Sequence, residues 1–311
     1  MVFSKLDRRT FLKTSAAAGV GALATGSARW ASAAPPAMAI AHYKSPGDGA
    51  EAVAEEARRL TRRAIDAMGG MRRFVSRGDV VWVKPNMAWD KRPEQAANTN
   101  PDVVAMLVQL CLEAGAKRVV VSDNSTNSAQ RTFPRSGIAP AAEKAGADVF
   151  FLDSRKFRKM AIHGKVLRES EVYVDAVEAD KLINVPIVKH HGLCRATLGM
   201  KNLMGIIGGP RNRLHQDLNN TLPDLAAFFK PTLVVVDAVR VLTANGPVGG
   251  NLADVKRLDT LAVSTDQVAA DAFAATLLGS KATDIGYVTE AAARGIGRLD
   301  FEGLKPARIE V

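Results

Sequence analysis

The sequence predicts an α/β fold: a mostly parallel sheet covered by helices on both faces, with a small β-rich insertion. Three observations predict it. Short apolar, β-branched runs recur along the chain without polar residues alternating inside them, the pattern of strands buried on both faces. Segments with helical spacing lie between these runs and end at glycine. Polar residues gather just after the runs, where an open α/β sheet binds its ligands.

In chain order, residues 34–49 are rich in Ala, Pro and Gly and read as a flexible tether. Glu51 to Met68 then reads as a charged helix stopped by Gly69-Gly70. The apolar runs follow: Val80-Val81-Trp82-Val83, Arg118-Val119-Val120-Val121, Val149-Phe150-Phe151, Leu182-Ile183-Asn184-Val185, Leu233-Val234-Val235-Val236 and Leu261-Ala262-Val263. Pro101 to Ala114, with Pro at its start and Gly115 at its end, is a crossover helix. Asp266 to Leu278, ending at Gly279, is another. Lys156 to Asp180 reads as shorter strands and turns, the insertion. Residues 50–311 therefore form a single α/β domain, a size one core can serve.

The segment Asp7-Arg8-Arg9-Thr10-Phe11-Leu12-Lys13, followed by an uncharged stretch from Thr14 to Ala28, resembles a bacterial twin-arginine export signal. Ala31-Ser32-Ala33 supplies a small-x-small cleavage site, so residues 1–33 read as the signal peptide. The resemblance implies the twin-arginine translocation machinery as a partner and the periplasm as the destination. The Thr14–Ala28 stretch is too short and too Gly-rich for a stable membrane span, and no later run is more apolar. Of the net charge of +10, the leader carries Lys5, Arg8, Arg9, Lys13 and Arg29 against Asp7, which leaves +6 for the rest. No aromatic–basic stacking motif accompanies this excess, so it speaks for an anionic ligand or a solvated surface rather than nucleic acid. The two cysteines, Cys111 and Cys194, do not make a disulfide scaffold. Without a Cys-x-x-Cys pair, the chain by itself cannot ligate a four-thiolate iron–sulfur cluster.

The polar groups that follow the runs are the candidate site. Lys84-Pro85-Asn86 suits an anion or a strand-end turn; Asp123-Asn124-Ser125 suits a metal, a hydroxyl or a helix cap. Lys189 and Arg211 add cations, and Lys201-Asn202 lies in a glycine-rich segment, Gly199 to Arg211, where backbone can approach a phosphate or carboxylate. Lys84, Asn86, Lys189, Asn202 and Arg211 are the anion-binding set. His191, His190 and Lys201 are the catalytic candidates. Adjacent strand residues point to opposite faces, so the two histidines do not serve one metal from a regular strand. Asp123, Asp237 and His215 are the candidate ligands for a divalent metal, though their spacing matches no standard metal motif. Walker, dinucleotide-binding and Gly-x-Ser-x-Gly motifs are absent.

An ordered set of short segments resembles the bacterial and archaeal domain-of-unknown-function family numbered 362. The segments are Val83-Lys84-Pro85-Asn86, Thr99-Asn100-Pro101, Ala114-Gly115-Ala116 leading to Val121-Ser122-Asp123, Leu182-Ile183-Asn184-Val185-Pro186, Lys189-His190-His191, Thr197 through Gly205, His215, Val236-Asp237-Ala238, Asn245-Gly246-Pro247 and Ser264 through Asp271. The resemblance implies an α/β fold. Many members of that family carry a ferredoxin-like iron–sulfur segment that this chain lacks, so any cluster would come from a separate redox partner. Two functions stay open at this point: a periplasmic redox or metal-assisted enzyme acting on a small anionic substrate, and a non-catalytic binding or cofactor- or metal-delivery protein using the same crevice.

Overall fold

The computed structural model describes residues 34–311; the expected leader and cleavage site, residues 1–33, lie outside the described residues. The strands, in chain order, are β1 (Met38–His42), β2 (Val80–Pro85), β3 (Arg118–Val121), β4 (Asp148–Val149), β5 (Phe157–Ala161), β6 (Glu169–Tyr173), β7 (Lys181–Val185), β8 (Ile187–His191), β9 (Arg195–Thr197), β10 (Leu233–Leu242), β11 (Val255–Ser264) and β12 (Ala307–Glu310). The helices are α1 (Ala50–Ala67), α2 (Pro101–Ala114), α3 (Ala129–Arg135), α4 (Ile138–Lys144), α5 (Val174–Glu178), α6 (Gly199–Asn202), α7 (Leu218–Phe229), α8 (Gln267–Thr276) and α9 (Gly286–Ala293).

The main sheet has the order β12-β1-β11-β10-β7-β2-β3-β4. It is parallel from β10 through β7, β2 and β3 to β4. β11 reverses the direction, pairing antiparallel with both β10 and β1. Strand residues alternate between two apolar layers, as the two-residue strand period requires. Val81, Val83, Val119, Val121, Ile183 and Val185 face α1, α2 and α4. Trp82, Val120, Leu182, Val234 and Val236 face α7, α8 and α9. The helix ends follow local chemistry. The Asn100 side chain accepts from Asp102 N at 2.8 Å, Pro101 opens α2, and Gly115 closes it in the left-handed conformation. Asp266 caps α8 through the amides of Val268 and Ala269.

The expected insertion is the antiparallel hairpin β5–β6. It packs on the sheet through Tyr173, whose ring lies 5.7 Å from Trp82 and 5.2 Å from Phe157.

Two sequence expectations are corrected. The residues read as a tether include β1, which sits inside the sheet between β11 and β12. Its Ala39 and Ala41 look like linker composition, but small side chains are what fits beneath α1. The Val149-Phe150-Phe151 run contributes only the end of a two-residue edge strand: Phe150 turns onto Trp82, and Phe151 is exposed and stacks on Phe133. Cys111 and Cys194 are both free thiols, and burial pushes Cys111 up to about 12.

Candidate functional site

The parallel strands bring their carboxyl ends together. β2 ends in Lys84-Pro85, and Lys84 lies in register with Asn184 of β7, while Val83 pairs with Val121 just before Asp123. Pro186 has no amide hydrogen to give the sheet, so the β7 line breaks there; its carbonyl accepts from Asp237 N at 2.9 Å. The chain then bends into β8 and, through β9, over the strand ends.

The short helix α6 completes the wall, and two buried polar residues pin it. Asp271 of α8 accepts from Gly199 N at 2.6 Å and Met200 N at 3.0 Å. Asn184 donates to Gly199 O at 2.7 Å. Burial raises Asp271 to about 7 despite those amide bonds. Sequence reasoning assigned neither residue a role. The signal was there for Asn184, an amide inside an otherwise apolar strand.

These elements enclose a cavity of about 270 Å³. Its basic lining residues are Lys84, Lys189, Lys201 and Arg211, with His191 and His215; its one carboxylate is Asp123. That carboxylate is engaged. Oδ1 lies 2.9 Å from Lys84 Nζ, and Oδ2 accepts from Met87 N at 2.7 Å. The Lys84 contact has ion-pair distance but off-axis hydrogen-bond geometry, so we read it as electrostatic. Lys84 Nζ also donates to Asn202 Oδ1 at 3.0 Å and Pro85 O at 2.6 Å.

A chain of amides links the cations. Asn202 Oδ1 accepts from Lys84 and, at 3.0 Å, from Asn86 Nδ2. Asn86 Oδ1 accepts from Lys189 Nζ at 3.0 Å. Lys189 donates otherwise to Ala97 O at 2.6 Å and lies 6.0 Å above the Trp89 ring. No carboxylate partners it, and desolvation, reinforced by Lys201, lowers it to about 7. Arg211 donates to the carbonyls of Asn124 and Ser125. His191 Nδ1 accepts from Leu193 N at 3.1 Å, which leaves Nε2 as the ring's free position, and burial with nearby Lys201 holds it neutral, at about 3.

Every predicted anion-binding residue therefore lines one cavity, as do His191, Lys201, Asp123 and His215. Two candidates do not. The ring of His190 accepts from Gly246 N at 3.2 Å and holds the loop that brings Pro247 to the cavity rim. Asp237 is fully buried in β10, accepting from Asn100 N at 2.7 Å and Val239 N at 3.1 Å, with its pKa raised by burial to about 6. The expected metal set Asp123, Asp237 and His215 is thus not assembled, and among the described residues no group of three His, Cys, Asp or Glu side chains is placed to hold a metal ion. Gly205 was unassigned and is required: a Cβ there would fall 1.8 Å from Asp123 Oδ1 and 2.6 Å from Lys84 Nζ.

The family described as "Domain of unknown function (DUF362)" matches residues 81–276, which holds every cavity-lining side chain named above. A twin-arginine translocation pathway signal sequence matches residues 5–25. The chain is 30% identical over 218 residues to the thylakoid-associated protein sll1697 of Synechocystis sp.; the match covers 68% of this chain and 66% of that protein, just under two thirds of its length. The lactate racemase apoprotein from Thermoanaerobacterium thermosaccharolyticum matches at a TM-score of 0.43 and 12% identity, covering 74% of this chain and 54% of that one. The signal marks a chain exported across the membrane by the twin-arginine machinery. Among the described residues no helix is long and apolar enough to cross a membrane.

Proposed function

The chain belongs to the DUF362 family, and from the geometry of its cavity we propose that it works in the periplasm by binding a small anion with more than one acceptor group. One observation carries the reading. Three buried lysines and the half-buried Arg211 line a single cavity against one carboxylate, and that carboxylate is already taken by Lys84 and the Met87 amide. Charges buried without partners cost several kcal/mol each. A bound carboxylate or phosphate offsets that cost, and charge-assisted bonds in a desolvated site are strong.

The same donor set favours an anion over a metal ion, because lysine and arginine ligate anions. This weakens the metal-assisted reading relative to the binding one. Acid–base chemistry on the bound ligand falls to Lys189, lowered to about 7, whereas His191, at about 3, stays neutral.

The test is calorimetry and thermal unfolding of the mature protein with malonate and with inorganic phosphate, at low and high salt. Saturation at about a hundred times Kd adds roughly 2.7 kcal/mol of stability, and affinity should weaken as salt rises. If neither anion binds, or if both bind equally well after Arg211→Met, the cavity is not an anion site.

A further inference from the structure

Among the cations of the cavity, Lys201 has no oxygen partner. Its Nζ meets only the thioether of Met204, at 3.5 Å, a weak acceptor. Lys84, Lys189 and Arg211 each donate to at least two oxygens. Lys201 is nonetheless 92% buried, at 8% exposure, and lines the cavity. It shares the cavity lining with His191 and His215. The three other cations are held in place by bonds to protein oxygens. The Lys201 amine is not.

We propose that Lys201 is a nucleophile that forms an imine with the carbonyl carbon of a small 2-oxo acid, whose carboxylate is held by Lys84, Lys189 and Arg211. This rests on the anion reading and deepens it by naming the ligand class. A desolvated amine beside other cations gives up its proton more readily, and burial, with Arg211, lowers Lys201. A 2-oxo acid offers both features the cavity asks for: an anion for the fixed cations and, one bond away, an electrophile for the unpartnered amine.

The step balances without a further reactant. The Nζ lone pair attacks the carbonyl carbon, a C–N bond forms, and the C=O π bond opens to a carbinolamine. The oxygen then leaves as water, carrying both amine protons, and a C=N bond remains. Nothing is oxidised or reduced. The His191 ring lines the same cavity, and with Nδ1 accepting from Leu193 N its Nε2–H is free to donate to the carbonyl oxygen as it departs.

The experiment is reductive trapping. The mature protein is incubated with pyruvate, 2-oxoglutarate or glyoxylate and cyanoborohydride, which delivers hydride to C=N, and the adduct is mapped by peptide mass spectrometry. The expected result is an adduct concentrated at Lys201, suppressed by excess malonate and absent in Lys201→Arg, whose guanidinium forms no imine. No adduct at Lys201 with any of the three acids, or an adduct that malonate does not suppress, overturns the proposal. Malonate calorimetry on the same sample separates the two readings. Malonate binding without trapping at Lys201 sinks the imine alone, whereas no malonate binding sinks the anion site and the imine with it.

Discussion

Replacing Lys189 with methionine tests the electrostatic reading of the cavity most directly. Lys189 is 1% exposed, has two neutral oxygen acceptors and no carboxylate partner, and is lowered to about 7 from 10.5. Between those two values the unfolded chain holds a proton that the folded chain has released. Stability must therefore rise with pH across that window, with the penalty fully present below about pH 7 and gone above about pH 10.5. One proton contributes a slope of at most about 1.4 kcal/mol per pH unit. From about pH 7.5 to about pH 9.5 the gain from Lys189 is on the order of 2–3 kcal/mol. Asp271 and Asp237 are raised to about 7 and about 6, and their windows lie at lower pH, so they add little slope here. Lysine to methionine leaves Asn86 Oδ1 and Ala97 O without their donor, a cost of about 1–3 kcal/mol per group that does not vary with pH. The readout is thus the slope and not the absolute stability. Urea unfolding of wild type and Lys189→Met at three pH values between 7.5 and 9.5 gives it. The variant's slope should be shallower than wild type by up to about 1.4 kcal/mol per pH unit, while Lys84 and Lys201, also lowered by burial, keep their own alkaline gain in both proteins. Parallel curves for the two proteins would refute the claim that Lys189 is an unpaired buried cation.

Three further outcomes are expected. Gly205→Ala drives a Cβ into the Lys84–Asp123 pair and should cost about 3 kcal/mol or more in urea unfolding while abolishing malonate binding; a near-neutral effect would mean that the pair does not sit where the structure puts it. Asp271→Asn turns an amide group toward the Gly199 and Met200 amides and should cost about 1–3 kcal/mol, with weaker malonate binding because Lys201 lies on that turn; unchanged calorimetry would show that α6 does not depend on this cap. Replacing Arg8 and Arg9 together by lysine should strand the precursor in the cytoplasm, which cell fractionation reads directly, and unimpaired export would remove the twin-arginine assignment.

The elements that the sequence disclosed are those whose signals are local. The α2 helix is announced by Pro101 at one end and Gly115 at the other, and the β2, β3, β7 and β10 cores are short, mostly β-branched apolar runs, Asn184 excepted. The elements that it concealed depend on distant partners. β1 has linker composition and is a strand only because β11 and β12 flank it. The antiparallel turn of β11 is a property of the hairpin it makes with β10, not of its residues. The same division holds in the site. Cations placed after parallel strands were legible because strand order alone carries them to one edge. His190 and Asp237 shared that sequence signal and ended elsewhere, because the backbone amides of Gly246, Asn100 and Val239 claimed them. Asp271 was illegible as a site residue because its role is to hold α6, 72 positions away.

The choice of amides rather than carboxylates between the cations gives the site its character. Asn202 uses both ends of its side chain: Oδ1 accepts from Lys84 and Asn86, and Nδ2 donates to Lys84 O and Asn184 Oδ1. Asn86 in turn joins Lys189 to that network. A carboxylate at either position would bind the lysines more tightly and would also neutralise them, leaving the cavity no field with which to attract an anion. A fully satisfied amide network orients the ammonium groups at little energetic cost while leaving their charge uncompensated. Such a site lowers the stability of the empty fold and recovers it when a ligand arrives, so affinity and stability are two readings of one electrostatic imbalance. The Lys84–Asp123 pair fits the same logic. Its one carboxylate fixes the Lys84 cation, where only a glycine at 205 leaves space for the pair, and leaves Lys189 and Arg211 uncompensated for the ligand.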